Sequence, residues 1–298
     1  MAALPENVGL GQQIAKGMPW LDDIASVMES AFEPWLGEDA PRGPRDFLYG
    51  GWLGHSLHAA VVTVPLGAWS AAMVLDVLRE ESAADKLVGL GLLGAAGAAV
   101  TGAAQWQDTT KNDDPRRLGT LHALVNYTTI GLMAGSWLLR KGGKRNAAVG
   151  LSAAGVALSA AAAWLGGELT YGLGIGVDHT AFESPPAKWT EVATLDELKD
   201  GEPRRVEADG APVMLLRQGD ALCAVAATCP HLGAPLDEGR IEGDSVVCPW
   251  HGSVFSLTDG SLEHGPATMP LTAYQVNVES GKILVRANAT QPGGRVPA

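Results

Sequence analysis

The sequence predicts two unlike halves: an all-α four-helix transmembrane bundle followed by a small all-β antiparallel domain. Three observations predict it. Charged residues are 18% of the 298, against roughly 25% in an ordinary soluble domain. The shortage is local, because windows 47–75, 87–107, 118–139 and 146–167 hold no Asp, Glu, Lys or Arg. Past residue 190 the pattern changes to short apolar runs broken by turn signals, as in APVMLLRQGD (211–220) and YQVNVESGKILVRA (274–287). Such runs read as strands joined by hairpins.

Charge excludes some partners. The net charge is −12, and both halves are acidic: residues 1–185 carry 12 Lys+Arg against 18 Asp+Glu, and residues 186–298 carry 9 against 15. Without a basic face, no nucleic-acid partner is expected. Three cysteines, Cys223, Cys229 and Cys248, are too few for a disulfide scaffold. The opening residues MAALPENVGLGQQIAKG lack the basic stretch and apolar core of a signal peptide.

Residues 1–46 form an N-terminal segment. In it Trp20, Leu21, Ile24, Val27, Met28, Ala31, Phe32 and Trp35 recur at helical spacing with acidic residues between them. This is the pattern of an amphipathic helix, lying at the membrane interface or packing against its neighbours. The membrane domain follows at 47–179, with spans near 52–76, 87–106, 118–139 and 146–167, each about the 20 residues a bilayer needs. Small residues crowd the spans, as in GLLGAAGAAVTGAA (91–104), and permit close helix approach in lipid. Pro65 should kink the first span. Gly89, Gly91 and Gly94 match a dinucleotide-binding G-x-G-x-x-G, but with no strand before them they read as helix packing.

Polar residues in the spans gather at one end. His55 and His58 begin span one, and His122 and Asn126 begin span three. Gln105, Trp106 and Asp108 end span two, while Glu168, Tyr171, Asp178 and His179 follow span four. Ionisable groups inside a membrane are expensive and point to function. His58 and His122 are candidates for a haem b or quinone site, for binding another metal, or for a hydrogen-bonded polar cap near the headgroups. The layout resembles an uncharacterised four-helix bacterial membrane-domain family, with a His-x-x-His start (His55, His58) and a Gly-Gly-x-x-x-Tyr end (Gly166, Gly167, Tyr171) over residues 50–180. That resemblance implies no particular chemistry.

Residues 180–188, with the Pro185-Pro186 pair, read as a linker to a domain at 189–289, and 290–298 as a disordered tail. The strongest signal of the chain lies in this domain. Cys229-Pro-His231-Leu-Gly is followed, sixteen residues after His231, by Cys248-Pro-Trp-His251-Gly-Ser253. Two soft thiolates and two imidazoles suit a metal centre, and zinc is one candidate.

The pattern C-x-H-x16-C-x-x-H resembles the Rieske family, in which two Cys bind one iron of a [2Fe–2S] cluster and two His bind the other. The flanks Gly233, Pro249, Gly252, Phe255, Asp259-Gly260 and Gly265-Pro266-Ala267 agree with it. The resemblance implies Cys229 and Cys248 as thiolate ligands, His231 and His251 as imidazole ligands, and Ser253 as a hydrogen-bond donor to cluster sulfur. Quinol-oxidising members carry a disulfide at the positions of Ala234 and Trp250 and a Tyr at that of Phe255. Those departures resemble the ferredoxin-type members of oxygenase systems. Cys223 reads as a small core residue.

A Rieske cluster moves single electrons. Only 47 residues follow His251, too few for a downstream catalytic iron domain, and no flavin or nicotinamide fold is visible. The expected protein is therefore a multi-pass cell-membrane electron carrier. It would link a redox protein partner to a quinone, a haem or an enzyme in the lipid bilayer. The alternatives are a subunit of a quinol oxidoreductase and a redox sensor without flux. Lys and Arg are balanced across the spans, so the positive-inside rule does not decide sidedness; a cytoplasmic Rieske domain is expected because the twin-arginine pair Arg116-Arg117, the candidate export signal, precedes the third span and not the last one before the domain.

Overall fold

The computed structural model describes residues 9–37 and 40–288; the expected tail at 290–298 lies outside them. The chain divides into two compact units, one comprising the residues up to Pro41 with Ser56–Ile175, the other Arg42–His55 with Gly176 onward.

The first unit is helical. Helices α1 (Leu10–Lys16) and α2 (Leu21–Leu36) precede the long helices, and α3 (Arg42–Tyr49) belongs to the second unit. Helix α4 (Leu57–Val61) runs into α5 (Thr63–Val77), then come α6 (Glu81–Trp106), α7 (Asp113–Lys141) and α8 (Arg145–Gly167). The break at Val62 has a cause in Pro65, which has no N–H for the Val61 carbonyl four residues back. Asp113 and Asp114 open α7, and Arg140 and Lys141 close it, matching the helix dipole at both ends.

Each long helix packs on two others, α5 on α6, α6 on α7, α7 on α8 and α8 on α5, so the four form a ring. Glycines set the close approaches. A Cβ on Gly91 would collide with the Trp69 indole, and one on Gly94 would lie 2.7 Å from Val64, so these two glycines serve helix packing. Trp69 Nε1 also donates to the Val88 carbonyl at 3.3 Å. Helix α2 packs on α7, where Arg117 pairs with Asp22 at 2.5 Å and Arg116 with Glu29 at 3.0 Å.

The expected count of four spans is corrected. Among the described residues, three segments are long and apolar enough to cross a membrane: Leu57–Val77, Glu81–Thr109 and Arg145–Gly172. Helix α7 is 29 residues long but is not one of them. His122, Asn126, Tyr127 and three threonines lower its hydropathy within a window that holds no formal charge.

The second unit is antiparallel β. Its sheets run β1 (Thr190–Thr194), β10 (Lys282–Ala287), β9 (Tyr274–Glu279); β2 (Arg204–Ala208), β3 (Ala211–Gln218), β4 (Ala221–Ala226); and β5 (Arg240–Glu242), β6 (Ser245–Val247), β7 (Val254–Ser256), β8 (Leu262–His264). Two-residue turns join β3 to β4 at Gly219-Asp220 and β9 to β10 at Ser280-Gly281, where the sequence implied hairpins, and a third, Asp209-Gly210, joins β2 to β3. Asp209-Gly210 and Ser280-Gly281 have positive φ at both positions, the requirement of a type I′ hairpin. One apolar core, including Met214, Leu216, Leu236, Val246 and Phe255, lies beneath the loops that carry the Cys/His motif. A second, including Val213, Leu215, Ile283 and Val285, lies between the other two sheets.

Candidate functional site

Two loops of one design carry the motif. Strand β4 leads into the first, where Cys229 N–H donates to Ala234 O and Gly233 N–H to Cys229 O, both at 2.9 Å. The second joins β6 to β7, where Cys248 N–H donates to Ser253 O at 2.8 Å and Gly252 N–H to Cys248 O at 3.1 Å. Gly233 (φ 78°) and Gly252 (φ 72°) take the left-handed conformation that closes each loop, which glycine adopts without steric cost.

The four candidate ligands converge. Cys229 is fully buried, Cys248 is 3% exposed and His231 7%. The His231 and His251 rings meet edge to face, centroids 5.0 Å apart. The two sulfurs share a hydrogen bond. Donating to Cys248, together with burial, raises the Cys229 thiol well above its usual range. Accepting from Cys229 lowers Cys248 to about 6, helped by the backbone N–H groups of His251 and Trp250. The N–H groups of His231 and Leu232 point likewise at Cys229. Such a cradle favours thiolate, the form that binds metal.

A third loop sits beside them. Ser253, fully buried, accepts a hydrogen bond at 3.0 Å from the Ala267 N–H of Gly265-Pro266-Ala267. The segment Arg42–His55 straps this loop, a contact that sequence reasoning missed. Asp46 accepts from His264 Nδ1 at 2.8 Å and from Gly265 N–H at 3.0 Å, and Arg45 donates to Gly265 O at 3.2 Å. Ala234 is buried in the core and Trp250 is 45% exposed, while Phe255 is fully buried. Cys223 pairs with Leu216 across β3 and β4 and packs on the core.

In the helical unit, His58 Nδ1 lies 3.0 Å from Ala98 O and His122 Nδ1 lies 2.9 Å from Ala162 O. Asn126 Nδ2 is 3.1 Å from His122 Nε2. The other polar residues at this end are dispersed among structural tasks. Ser56 bonds Gln105 at 3.0 Å, Trp106 bonds Thr120 at 3.3 Å, and Glu168 accepts the N–H groups of Gly11 and Gln12. Tyr171 is 90% exposed. His55, Asp178 and His179 belong to the second unit, where His179 N–H donates to Pro230 O at 2.9 Å. A polar cluster that the sequence did not suggest lies at the opposite end of the helices. Arg140, with no exposed side-chain surface, pairs with Asp76 at 2.5 Å and Asp85 at 2.9 Å, and Arg145 joins both acids.

Fold and site together define a small iron–sulfur-type electron-transfer module joined to a helical membrane unit. Comparison with known proteins agrees: residues 188–275 match the Rieske [2Fe-2S] domain, and residues 54–179 match "Predicted membrane protein (DUF2231)". Ferredoxin CarAc of Metapseudomonas resinovorans is 37% identical over 98 residues, 33% of this chain and 92% of that protein. The anthranilate 1,2-dioxygenase ferredoxin subunit of Burkholderia cepacia is 31% identical over 103 residues, 35% of this chain and 95% of that one. Apoptosis-inducing factor 3 of Homo sapiens is 37% identical over 97 residues, 33% of this chain, but the match spans only 16% of that protein. The chain belongs to the Rieske [2Fe–2S] family: its Rieske domain binds a [2Fe–2S] cluster, and a predicted membrane domain precedes it.

Proposed function

We propose that Cys229 and Cys248 hold one iron of the cluster, that His231 and His251 hold the other, and that the chain delivers single electrons from a redox protein to an acceptor in the membrane. The observation that carries this reading is the donor set. Two sulfurs within hydrogen-bonding reach and two imidazoles edge to face arrive from two loops of matching design. When bound, the cluster supplies one-electron storage. The chain's own residues do the rest. Backbone N–H groups of His251 and Trp250 favour the Cys248 thiolate and those of His231 and Leu232 point at Cys229, the core beneath excludes water, and Ser253, whose oxygen already accepts from Ala267, keeps its own hydrogen for a sulfur atom.

The loops favour a ferredoxin over a quinol-oxidising subunit. Buried Ala234 and half-exposed Trp250 leave no disulfide to tie them together, and Phe255 offers no hydroxyl. The Burkholderia cepacia relative is the ferredoxin subunit of a dioxygenase, which supports an oxidoreductase as partner. We place the membrane acceptor at His58 and His122, as quinone or haem, or on an enzyme beside the chain. The pair Arg116-Arg117 is engaged with Glu29 and Asp22 of α2, which supports a packing role rather than an export signal and a Rieske unit on the cytoplasmic side. A C-terminal reporter fusion tests the side.

Electron paramagnetic resonance of the reduced full-length protein in detergent tests the centre. The expected result is a Rieske signal that Cys248→Ser and His251→Ala each abolish. Zinc without iron in the purified protein overturns the reading.

A further inference from the structure

The four long helices are two copies of one hairpin. Leu57-His58-Ala59 recurs as Leu121-His122-Ala123, sixty-four residues on, and at the same offset Gly91 becomes Gly155, Ala98 becomes Ala162 and Gly102 becomes Gly166. The contacts repeat with the residues. A Cβ on Gly91 would strike Trp69, and one on Gly155 would strike Met133 at 2.7 Å, the residue equivalent to Trp69. His58 Nδ1 meets Ala98 O and His122 Nδ1 meets Ala162 O, both across 40 residues. A Cβ on Gly102 would lie 2.9 Å from His58 Cε1, and one on Gly166 would lie 3.2 Å from His122 Cε1. His58 lies on α4, which packs on α6, and His122 on α7, which packs on α8, and the two imidazoles are within Coulombic reach of each other.

The tautomer decides what such a pair binds. A backbone carbonyl accepts only, so Nδ1 of each ring carries the hydrogen and Nε2 carries the lone pair. Donation of the second ring N–H to a carbonyl is also the usual support of a metal-bound histidine. A quinone carbonyl needs a donor, which Nε2 in this form is not. A bare metal ion would find too few ligands: among the described residues no group of three or more His, Cys, Asp or Glu could hold one, and the contacts of the rings include Ala98, Thr101 and Gly102 for His58 and Ala162, Gly166 and Asn126 for His122. A porphyrin brings four equatorial nitrogens and asks for two axial imidazoles.

We infer that the helical unit binds one b-type haem per chain, with His58 Nε2 and His122 Nε2 as its axial ligands. This deepens the reading of His58 and His122 as the membrane acceptor site and rests on it. Asn126 Nδ2 lies 3.1 Å from His122 Nε2 and would have to yield that contact to the iron. Its equivalent in the first hairpin is Val62, so the site does not require the amide.

The test uses the full-length protein in detergent, titrated with haemin and read by Soret absorbance, pyridine haemochrome stoichiometry and paramagnetic resonance. One haem per chain with a low-spin bis-imidazole spectrum is expected. His58→Ala and His122→Ala should each lose that spectrum, Asn126→Val should keep it, and His122→Met should convert it to a His/Met spectrum with a raised potential. The last change separates ligation from a role in folding, because a misfolded helix would not produce a defined new ligand field. A protein that shows the Rieske signal yet gains no Soret band with haemin overturns the haem while leaving the cluster in place. A low-spin spectrum unchanged in His58→Ala overturns it equally. If the Rieske signal is missing and haem binds, the electron-carrier reading fails and this one stands.

Discussion

Removing the Ser253 hydroxyl should change stability and potential together. Its side chain is fully buried, and its oxygen accepts the Ala267 N–H at 3.0 Å. In Ser253→Ala that N–H loses its acceptor in a dry site, at a cost of about 1–3 kcal/mol, while the change in volume is small. The same hydroxyl hydrogen, if given to a cluster sulfur, favours the more negative reduced state. Losing about 1 kcal/mol of that preference lowers a one-electron potential by roughly 40 mV, since tenfold in equilibrium constant is 59 mV for one electron. Thermal unfolding followed by the visible circular dichroism of the cluster reads the first effect, and spectroelectrochemical titration reads the second. Ser253→Cys, with a weaker donor in the same place, should fall between. A potential within about 10 mV of the parent in a cluster-loaded Ser253→Ala protein refutes donation from this hydroxyl, and unchanged unfolding refutes its hold on the Ala267 loop.

Other changes probe the two units separately. Burial raises the Glu183 carboxyl above 4.5, with Thr228 and Arg205 acting in the opposite direction. The folded state therefore holds more protons than the unfolded one from about pH 4.5 upward, and stability falls as pH rises through that window; denaturation of Glu183→Gln should show a flatter profile and greater stability at neutral pH. Arg140→Ala strands Asp76, whose side chain is 1% exposed, and should cost about 3–5 kcal/mol in the melting of the helical unit. Replacing Arg140 and Asp76 together by Met and Leu should cost clearly less. Gly91→Leu meets the Trp69 indole and should destabilise by about 1–3 kcal/mol, whereas Gly131→Leu, with nothing within 4 Å of its Cβ, should melt like the parent in detergent.

The cluster loops were legible because their information is local. Cys229, His231 and Gly233 lie within five residues, and the glycine's positive φ closes the loop that brings the other two together. The strap over the proline loop was not legible, since Asp46 and His264 are 218 residues apart and no spacing rule connects them. The span count went astray at α7 because freedom from charge is not apolarity: His122 and Asn126 carry none at neutral pH and still lower the hydropathy. Asp76, Asp85, Arg140 and Arg145 sit at the edges of the uncharged windows, where each one reads as an ordinary flanking charge. Their convergence depends on the ring of helices, which periodicity within one helix does not specify.

The repeat was present in the sequence, and it accounts for the difference between the two ends of the bundle. Duplicated hairpins packed around a common axis bring some equivalent positions face to face, so a residue there meets its own copy. Two like charges in such a place would repel at close range. At Asp76 the copy is Arg140, and the two form a buried ion pair. Two neutral imidazoles carry no such penalty, and both copies, His58 and His122, keep the same residue, the same carbonyl partner and the same glycine. A position occupied only for helix packing has no reason to stay alike, as Trp69 against Met133 shows. A ligand shared by both hairpins is a reason for the histidines to do so.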